Sequence, residues 1–231
     1  MIKRSMVSDQ GISFTLVELL VVVAIIGILA SLLLPTLKNC QDTAKNAVCL
    51  GNLKQIGAAV VGYADDYEAW LPMATGGRAD RWKLEIAAGV GIRSDGYSGL
   101  LGKSVFRCPA WKAPPEVPLL EINSEGGGYG WNYSYMGYDG SGLTRVRLSS
   151  VNYPSETILC GDCVDWYTGG HCQLLYLYVP STTSPAPPVG NRHNKGINVL
   201  WADMSARWMP QAELRAGKNG DVNWYYRNPK P

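Results

Sequence analysis

The stretch that decides the fold runs from Ser13 to Pro35 and reads SFTLVELLVVVAIIGILASLLLP. Within it, residues 14–34 carry a single charged side chain, that of Glu18. A helix rises about 1.5 Å per residue, so this run is about as long as the ~30 Å hydrocarbon core of a bilayer is thick. The sequence therefore predicts an N-terminal helix that can span a membrane.

The composition of the whole chain indicates a folded domain attached to this helix. Of its 231 residues, 46% are hydrophobic and 17% are charged, which is too apolar for intrinsic disorder. The 21 basic and 19 acidic residues give a formal net charge of +2, which offers no electrostatic surface for a polyanion and argues against nucleic acid as a partner. All 8 Trp residues lie at or beyond Trp70, so the two ends of the chain differ in composition.

The charges around the apolar run predict its orientation. Lys3 and Arg4 precede it and no comparable basic cluster follows closely, so the first residues stay in the cytoplasm and the remainder is exported. A cleavable secretory signal would have a shorter apolar stretch, followed by a site of small residues. A plain membrane anchor does not explain Glu18, because a carboxylate inside an apolar segment is costly and usually marks a function.

Four positions of this stretch stand where one known family has them: Phe14, Glu18 four residues later, Gly27 and Pro35. In these positions the chain closely resembles the N-terminus of type IV prepilins and type II secretion pseudopilins, over residues 11–63. The resemblance implies that a prepilin peptidase cuts between Ser13 and Phe14 and that the new amine of Phe14 is methylated. Leaders of this family usually end in Gly, whereas Ser13 stands at that place here.

The same resemblance implies a structural function. Subunits assemble through their N-terminal helices into a type II secretion or type IV pilus-like filament, and the Glu18 carboxylate of one subunit meets the Phe14 amine of its neighbour. Gly27 and Pro35 are further assembly positions. The implied partners are copies of the chain, the prepilin peptidase and N-methyltransferase, the inner-membrane assembly machinery and the lipid bilayer. The implied location is the bacterial inner membrane, crossed once, with the C-terminal domain in the periplasm or in a filament.

Four segments follow from this organisation: a leader at residues 1–13, a transmembrane and assembly helix at 14–35, an amphipathic helix at 36–67 and an exported headpiece at 68–231. Pro35 removes one helix hydrogen bond, and its ring clashes with the backbone of the preceding turn. A kink or local melting of the helix is therefore expected near it. Beyond Pro35, apolar residues recur mostly three, four or seven apart, which predicts that the helix resumes with one buried face.

The headpiece sequence predicts an α+β, pilin-like fold in which a small antiparallel sheet packs on the second half of the long helix. Short segments rich in β-branched, Leu or aromatic residues predict strands. The predicted helices are 81–88 and 211–216, the predicted strands are 157–160, 173–179, 197–201 and 205–209, and the predicted loops are 123–142 and 180–196. The last two strands are close enough in sequence to form a hairpin.

His193 and Asp203 are separated by nine residues, and this spacing resembles the C-terminal motif of a pilin-like family common in Planctomycetes and Lentisphaerae. That motif is usually His, nine residues, then Asp-Gly, whereas Met204 follows Asp203 here. A His–Asp pair alone lacks a nucleophile or a third metal ligand, so the motif favours a structural contact that fixes the hairpin over catalysis.

The six cysteines of an exported domain indicate disulfides. Cys49 with Cys108 would tie the helix to the headpiece, and Cys163 with Cys172 would close a small loop, leaving Cys40 and Cys160 undecided. No resident cofactor is predicted, but two metals stay open. Zinc would use Cys160, Cys163, His171 and Cys172, and calcium would use the oxygen-rich segment 139–142 or the carboxylates of Asp162 and Asp165.

Three functions are compatible with these features. The leading one is a non-enzymatic filament subunit. The alternative is a membrane-anchored carbohydrate-binding module with exposed Trp and Tyr side chains, since eight tryptophans exceed what a small core needs. A surface hydrolase using His193, Asp203 or the pair Asp162 and Asp165 stands last, because the sequence has no nucleophile motif or paired-carboxylate motif.

Overall fold

The computed structural model describes residues 15–73, 81–91, 105–111, 128–132, 136, 145–162, 166–168, 171–173, 192–219 and 225. For Arg81, Arg215 and residues 166–168 and 171–173 it describes the backbone alone. The chain divides into two compact units, residues 1–41 and residues 42–231. Among the described residues, the first unit contains the beginning of a long helix, and the second unit contains the rest of that helix and the α+β headpiece.

The long helix, α1, spans Leu16–Asp66 and has 51 residues. Thr15 and Glu18 form a capping box at its start: the backbone N–H and the hydroxyl of Thr15 donate to Glu18 Oε2 at 2.8 and 2.7 Å, and the backbone N–H of Glu18 lies 3.3 Å from Thr15 Oγ1. At about 1.5 Å per residue, α1 is roughly 75 Å long. Among the described residues, α1 is long and apolar enough to cross a membrane.

Pro35 lies inside α1, and the helix continues through it. Local melting near residues 31–35 is therefore not observed, while a bend there stays a prediction. Two hydroxyl groups next to Pro35 bond to the helix backbone, Ser31 Oγ to the carbonyl of Ile28 at 2.7 Å and Thr36 Oγ1 to the carbonyl of Leu33 at 2.8 Å. These bonds satisfy the two hydroxyl groups without interrupting the helix.

The headpiece contains a four-stranded antiparallel sheet made of β1 (Tyr129–Trp131), β2 (Ile158–Asp162), β5 (Gly196–Trp201) and β6 (Ala206–Pro210). The strands lie side by side in the order β1, β2, β5, β6. A separate two-stranded hairpin joins β3 (Trp166–Thr168) to β4 (His171–Gln173). The described headpiece also has two short α-helices, α2 (Arg81–Ile86) and α3 (Gln211–Ala216), and 3-10 turns at Ala88–Val90 and Leu148–Ser150.

The second half of α1 supplies one wall of the core. Its buried positions recur three or four residues apart, and they include Cys49, Leu53, Ile56 and Val60. They pack together with aromatic and aliphatic side chains of the headpiece, and a Cβ placed at Gly57 would lie 3.0 Å from Leu200 Cδ1. The helix and the sheet therefore approach closely at Gly57, and the predicted architecture of a long helix packed on a small antiparallel sheet is confirmed.

The predicted elements differ from the observed ones in several places. Helix α2 ends at Ile86, and a 3-10 turn follows at Ala88–Val90. Strand β1 lies inside the predicted loop 123–142, and it is held by pairing of Tyr129 with Asp162 and of Trp131 with Cys160 in β2. Of the predicted strand 173–179 only Gln173, in β4, belongs to the described residues. The predicted β5–β6 hairpin is present.

Candidate functional site

The first half of α1 presents apolar side chains on its surface. In this unit the large aliphatic side chains from Leu16 to Leu37 are 45–78% exposed. A Cβ placed at Gly27 would meet no atom within 4 Å, so the fold of a single chain does not require a glycine at that position. Such a surface can be covered by lipid or by copies of the same helix, and small residues such as Gly27 let helices approach closely.

The positions predicted for processing and assembly fall partly within the described chain. Glu18, Gly27 and Pro35 all lie in α1, whereas Ser13 and Phe14 lie outside the described residues. Glu18 has an additional role that the sequence analysis did not assign, because it forms the capping box with Thr15. The sequence pattern Thr-x-x-Glu before an apolar run is a signal that could have predicted this contact.

In the headpiece, a tight turn fixes His193 at the entrance to β5. Asn194 and Lys195 have positive φ angles of 51° and 61°, the Gly196 N–H donates to the His193 carbonyl at 3.0 Å, and His193 pairs with Gly196. The indole N–H of Trp208 donates to the same carbonyl at 2.7 Å. A Cβ placed at Gly196 would lie 2.4 Å from the Trp208 ring, so the glycine makes room for the indole that holds the turn.

The His193 side chain forms a buried group with three other potential metal ligands. Its Nε2 atom lies 3.3 Å from Cys108 Sγ and 3.4 Å from Asp162 Oδ2, and Cys49 Sγ lies 3.5 Å from Asp162 Oδ1. One ligand atom from each of these four side chains lies within 4.8 Å of every other, and all four residues are buried. We call Cys49, Cys108, Asp162 and His193 the four-ligand cluster.

A second layer of polar groups holds this cluster. Arg192 lies 3.3 Å from Asp162 Oδ1 and also donates to the Gly128 carbonyl, and the Asn198 N–H donates to Asp162 Oδ2 at 2.7 Å. The Tyr129 hydroxyl lies 3.1 Å from Cys49 Sγ and donates to the Cys49 carbonyl at 3.3 Å. The Asp162 carboxylate is buried with two donors, Arg192 and the Asn198 N–H, which compensate its loss of contact with water.

The buried surroundings shift the ionisation of the cluster. Burial raises the pKa of Asp162 to about 6, although the charge of Arg192 opposes this shift. Burial raises the pKa of Cys49, whereas the hydrogen bond with Cys49, together with His193 and Arg192, holds the pKa of Cys108 below its usual range. Burial lowers the pKa of His193, but the hydrogen bond with Cys108 and the charge of Asp162 outweigh it, so the pKa of His193 is raised.

The geometry of the cluster differs from that of a catalytic triad. In a cysteine–histidine–carboxylate triad, the thiol and the carboxylate contact opposite nitrogens of the imidazole ring. Here Cys108 and Asp162 both lie next to Nε2 of His193, and all three side chains are withdrawn from solvent. The arrangement gives no support to the hydrolase hypothesis. Thiolate, imidazole and carboxylate groups converging on one point are instead the donor types that proteins use to hold zinc.

The two residues of the predicted His–Asp motif, His193 and Asp203, have different surroundings in the structure. Asp203 lies in the turn between β5 and β6, where its Oδ1 atom accepts from the N–H of Ser205 at 2.9 Å and its Oδ2 atom lies 3.6 Å from Arg207. Met204 follows with a positive φ of 63°, so it occupies the backbone conformation that Gly would favour. Asp203 therefore shapes the hairpin turn, while the carboxylate next to His193 belongs to Asp162 in β2.

The cysteine predictions have mixed outcomes. Cys49 and Cys108 come together as the sequence analysis predicted, but both are free thiols in the structure, so their disulfide stays a prediction. Cys40 is free and exposed, and Cys160 is free and buried. The side chains of Cys163, Cys172 and His171 lie outside the described residues, as do Asp165 and the segment 139–142. Both the Cys163–Cys172 disulfide and the zinc and calcium sets that use these residues therefore stay untested.

Most of the tryptophans whose side chains the structure describes are core residues, which bears on the carbohydrate-binding alternative. Trp82, Trp111, Trp131 and Trp201 are buried, and Trp82 stacks on Trp131 with ring centroids 5.3 Å apart. Trp208 is 40% exposed, but its indole N–H is committed to the His193 turn. Core packing explains the four buried tryptophans, and the carbohydrate-binding alternative is not favoured.

Comparison with known proteins gives one informative relative. The chain is 44% identical over 61 residues to a protein named type II secretion system core protein G, from Pseudomonas aeruginosa. The match supports a relationship with the pseudopilins. It covers 26% of this chain and 43% of the relative, so the chain spans less than half the length of the curated relative that it matches. No family model and no solved structure matches the chain.

Proposed function

We propose that the chain is a pseudopilin-like structural subunit that assembles through the first half of α1 into a type II secretion or type IV pilus-like filament. The observation that carries this proposal is the exposed apolar surface of α1 between Leu16 and Leu37, which bears the single carboxylate of Glu18. Apolar surface of this extent needs a lipid or protein partner, because soluble monomers rarely expose large contiguous apolar patches. The relationship with a type II secretion protein supports the same assignment.

The proposed life cycle has three steps. The chain is inserted into the inner membrane with its headpiece in the periplasm, a prepilin peptidase removes residues 1–13, and the amine of Phe14 is methylated. The assembly machinery of the inner membrane then moves the subunit from the bilayer into the filament. In this arrangement the headpiece, residues 68–231, forms the outer surface, and residues 14–35 and 36–67 form the inner helix.

Glu18 has two separable roles in this proposal. Within the chain it caps α1 through Thr15, and between chains its charge pairs with the Phe14 amine of a neighbouring subunit. An unmatched charge in an apolar bundle is costly, and removing one partner of a buried ion pair costs about 3–5 kcal/mol. The charge, more than the cap, is therefore expected to control assembly.

Three variants separate these two roles. Glu18→Gln keeps the hydrogen-bonding capacity of the capping box but removes the charge, Glu18→Ala removes both, and Thr15→Ala weakens the cap but keeps the charge. Filament formation in the native cells is measured as cross-linked multimers and sheared filaments. We expect both Glu18 variants to lose filaments and Thr15→Ala to keep them. Normal filaments in Glu18→Gln would contradict the charge pairing.

A further inference from the structure

The four-ligand cluster draws its side chains from four separate parts of the headpiece unit. Cys49 lies on α1, Cys108 lies in the segment 105–111, Asp162 ends β2, and His193 lies in the turn before β5. Residues so far apart in sequence converge at the junction between the helix and the sheet, and none of them is needed for the proposed assembly through the first half of α1. The proposed assembly therefore does not account for the four-ligand cluster.

The distances within the cluster match those between the ligands of a tetrahedral metal ion. With bonds of about 2.3 Å to sulfur and about 2.0–2.2 Å to nitrogen and oxygen, neighbouring ligand atoms lie about 3.3–3.8 Å apart. Three of the contacts in the cluster are 3.3 Å for Cys108 Sγ to His193 Nε2, 3.4 Å for His193 Nε2 to Asp162 Oδ2 and 3.5 Å for Cys49 Sγ to Asp162 Oδ1. Because one carboxylate oxygen ligates the ion, two of these pairs belong to a single ligand set and have near-tetrahedral spacing, and all four ligand atoms lie within 4.8 Å of one another.

The charges of the site also suit a divalent cation. Two thiolates and the carboxylate of Asp162 carry three negative charges, and a divalent cation together with the guanidinium of Arg192 balances them. Arg192 and the N–H of Asn198 also orient the carboxylate from outside the cluster, which is the usual arrangement around ligating groups. A buried site without net charge avoids the large cost of an unmatched ion.

We propose that Cys49, Cys108, Asp162 and His193 bind one Zn²⁺ ion that fastens α1 to the sheet of the headpiece. Two sulfur ligands, an imidazole and a carboxylate favour Zn²⁺ over Ca²⁺ and Mg²⁺, which take oxygen ligands. Four protein ligands in a closed and buried site make the ion structural, since no coordination position is left for a substrate. When the ion is bound, both cysteines are thiolates and His193 is a neutral imidazole, and the protons displaced from these three groups leave to solvent.

The same two cysteines could instead form the disulfide that the sequence predicts. That bond would consume both thiols through loss of two protons and two electrons to an oxidant, and it needs neither a histidine nor a carboxylate. The convergence of His193 and Asp162 on the two sulfur atoms, with Arg192 as a countercharge, is explained by the metal site and not by the disulfide.

The first experiment measures the metal content of the full-length protein, purified in detergent without chelator from cells grown with added zinc. We expect about one zinc per chain by elemental analysis. X-ray absorption at the zinc edge should give two sulfur ligands at about 2.3 Å and two nitrogen or oxygen ligands at about 2.0–2.2 Å. Protein without zinc, with Cys49 and Cys108 joined in a disulfide by mass spectrometry, would overturn the proposal. A site of three sulfur ligands and one nitrogen would overturn it as well, because it would indicate the set with Cys160, Cys163, Cys172 and His171.

Matched variants then assign the ligands. Cys49→Ala and Cys108→Ala should each lower the zinc content at least tenfold, and Cys160→Ala is the control because Cys160 is equally buried and lies outside the cluster. Zinc that persists in the double variant Cys49→Ala/Cys108→Ala would overturn the proposal. If the alanine variants fold poorly, the X-ray absorption spectrum of the unaltered protein alone tests the ligand set. The zinc content of detergent-solubilised chains does not depend on filament formation, so the two proposals fail separately.

Discussion

Cys108 Sγ lies 3.3 Å from His193 Nε2, although 85 residues separate the two in sequence. The segment 105–111 and the turn before β5 are thus joined at a buried point, and Cys49 brings α1 to the same point. In the proposed subunit, this point connects the helix that enters the filament to the sheet that forms its surface. The stability of the headpiece is therefore expected to depend on the cluster.

Removing the metal should destabilise the headpiece. A ligand that binds the native state alone contributes about 2.7 kcal/mol when its free concentration is about one hundred times its dissociation constant. A chelator should lower the urea midpoint of the unaltered protein, followed by tryptophan fluorescence, and added zinc should restore it. In Cys108→Ala the urea midpoint should be low without the chelator and should not change when the chelator is added. An unaltered protein whose midpoint is insensitive to the chelator would contradict a structural zinc.

Replacing Arg192 should cost stability because it removes one of the cationic partners of the buried Asp162 carboxylate, which also contacts His193 and ligates the proposed Zn²⁺. The side chain of Asp162 is fully buried and that of Arg192 is nearly so. Arg192→Met should therefore lower the free energy of unfolding by about 3–5 kcal/mol. Lys45→Met is the control, because the pair of Lys45 with Asp42 is largely exposed and should contribute almost nothing. Equal effects of the two substitutions on the urea midpoint would argue against the buried pair.

Two glycines should respond in opposite ways to alanine. A Cβ at Gly196 would lie 2.4 Å from the Trp208 ring, so Gly196→Ala should destabilise the headpiece by about 1–3 kcal/mol through overpacking. A Cβ at Gly62 would meet no atom within 4 Å, so Gly62→Ala should stabilise α1 by about 0.5–1 kcal/mol through helix propensity. Thermal unfolding of both variants measures the difference. A neutral Gly196→Ala would contradict the close approach of the Trp208 ring and the Met209 carbonyl to Gly196.

Gly27 is expected to matter for assembly and not for folding. Since a Cβ there meets nothing within the chain, Gly27→Leu should leave the unfolding of the headpiece unchanged. In a filament, however, the larger side chain would separate neighbouring helices, so cross-linked multimers should be strongly reduced. Ile26→Leu, at the adjacent exposed position, conserves volume and should assemble normally. Unimpaired assembly of Gly27→Leu would place this position away from helix contacts.

The architecture could be predicted from sequence because its main signals are local. The apolar run, its periodicity beyond Pro35 and the closely spaced segments 197–201 and 205–209 predict α1 and the β5–β6 hairpin, and both are present. Strand β1 was missed because its three residues follow a glycine-rich segment and its strand conformation depends on pairing with β2.

The cluster could be predicted only in part, because its contacts are not local. The sequence predicted that Cys49 of the helix lies next to Cys108 of the headpiece, and the spacing of the His–Asp motif predicted a structural role for His193. Asp203, the other residue of that motif, lies outside the cluster, since the β5–β6 hairpin directs it into its own turn. Asp162 faces His193 because β2 pairs with β5, and that pairing is a property of the folded sheet.

The central claim is that the mature chain is a processed filament subunit, and its N-terminus tests this most directly. Mass spectrometry of the protein from its native cells should find a chain that begins at N-methylated Phe14 and has lost residues 1–13. A mature protein that retains Met1, or that begins elsewhere without methylation, would contradict the account.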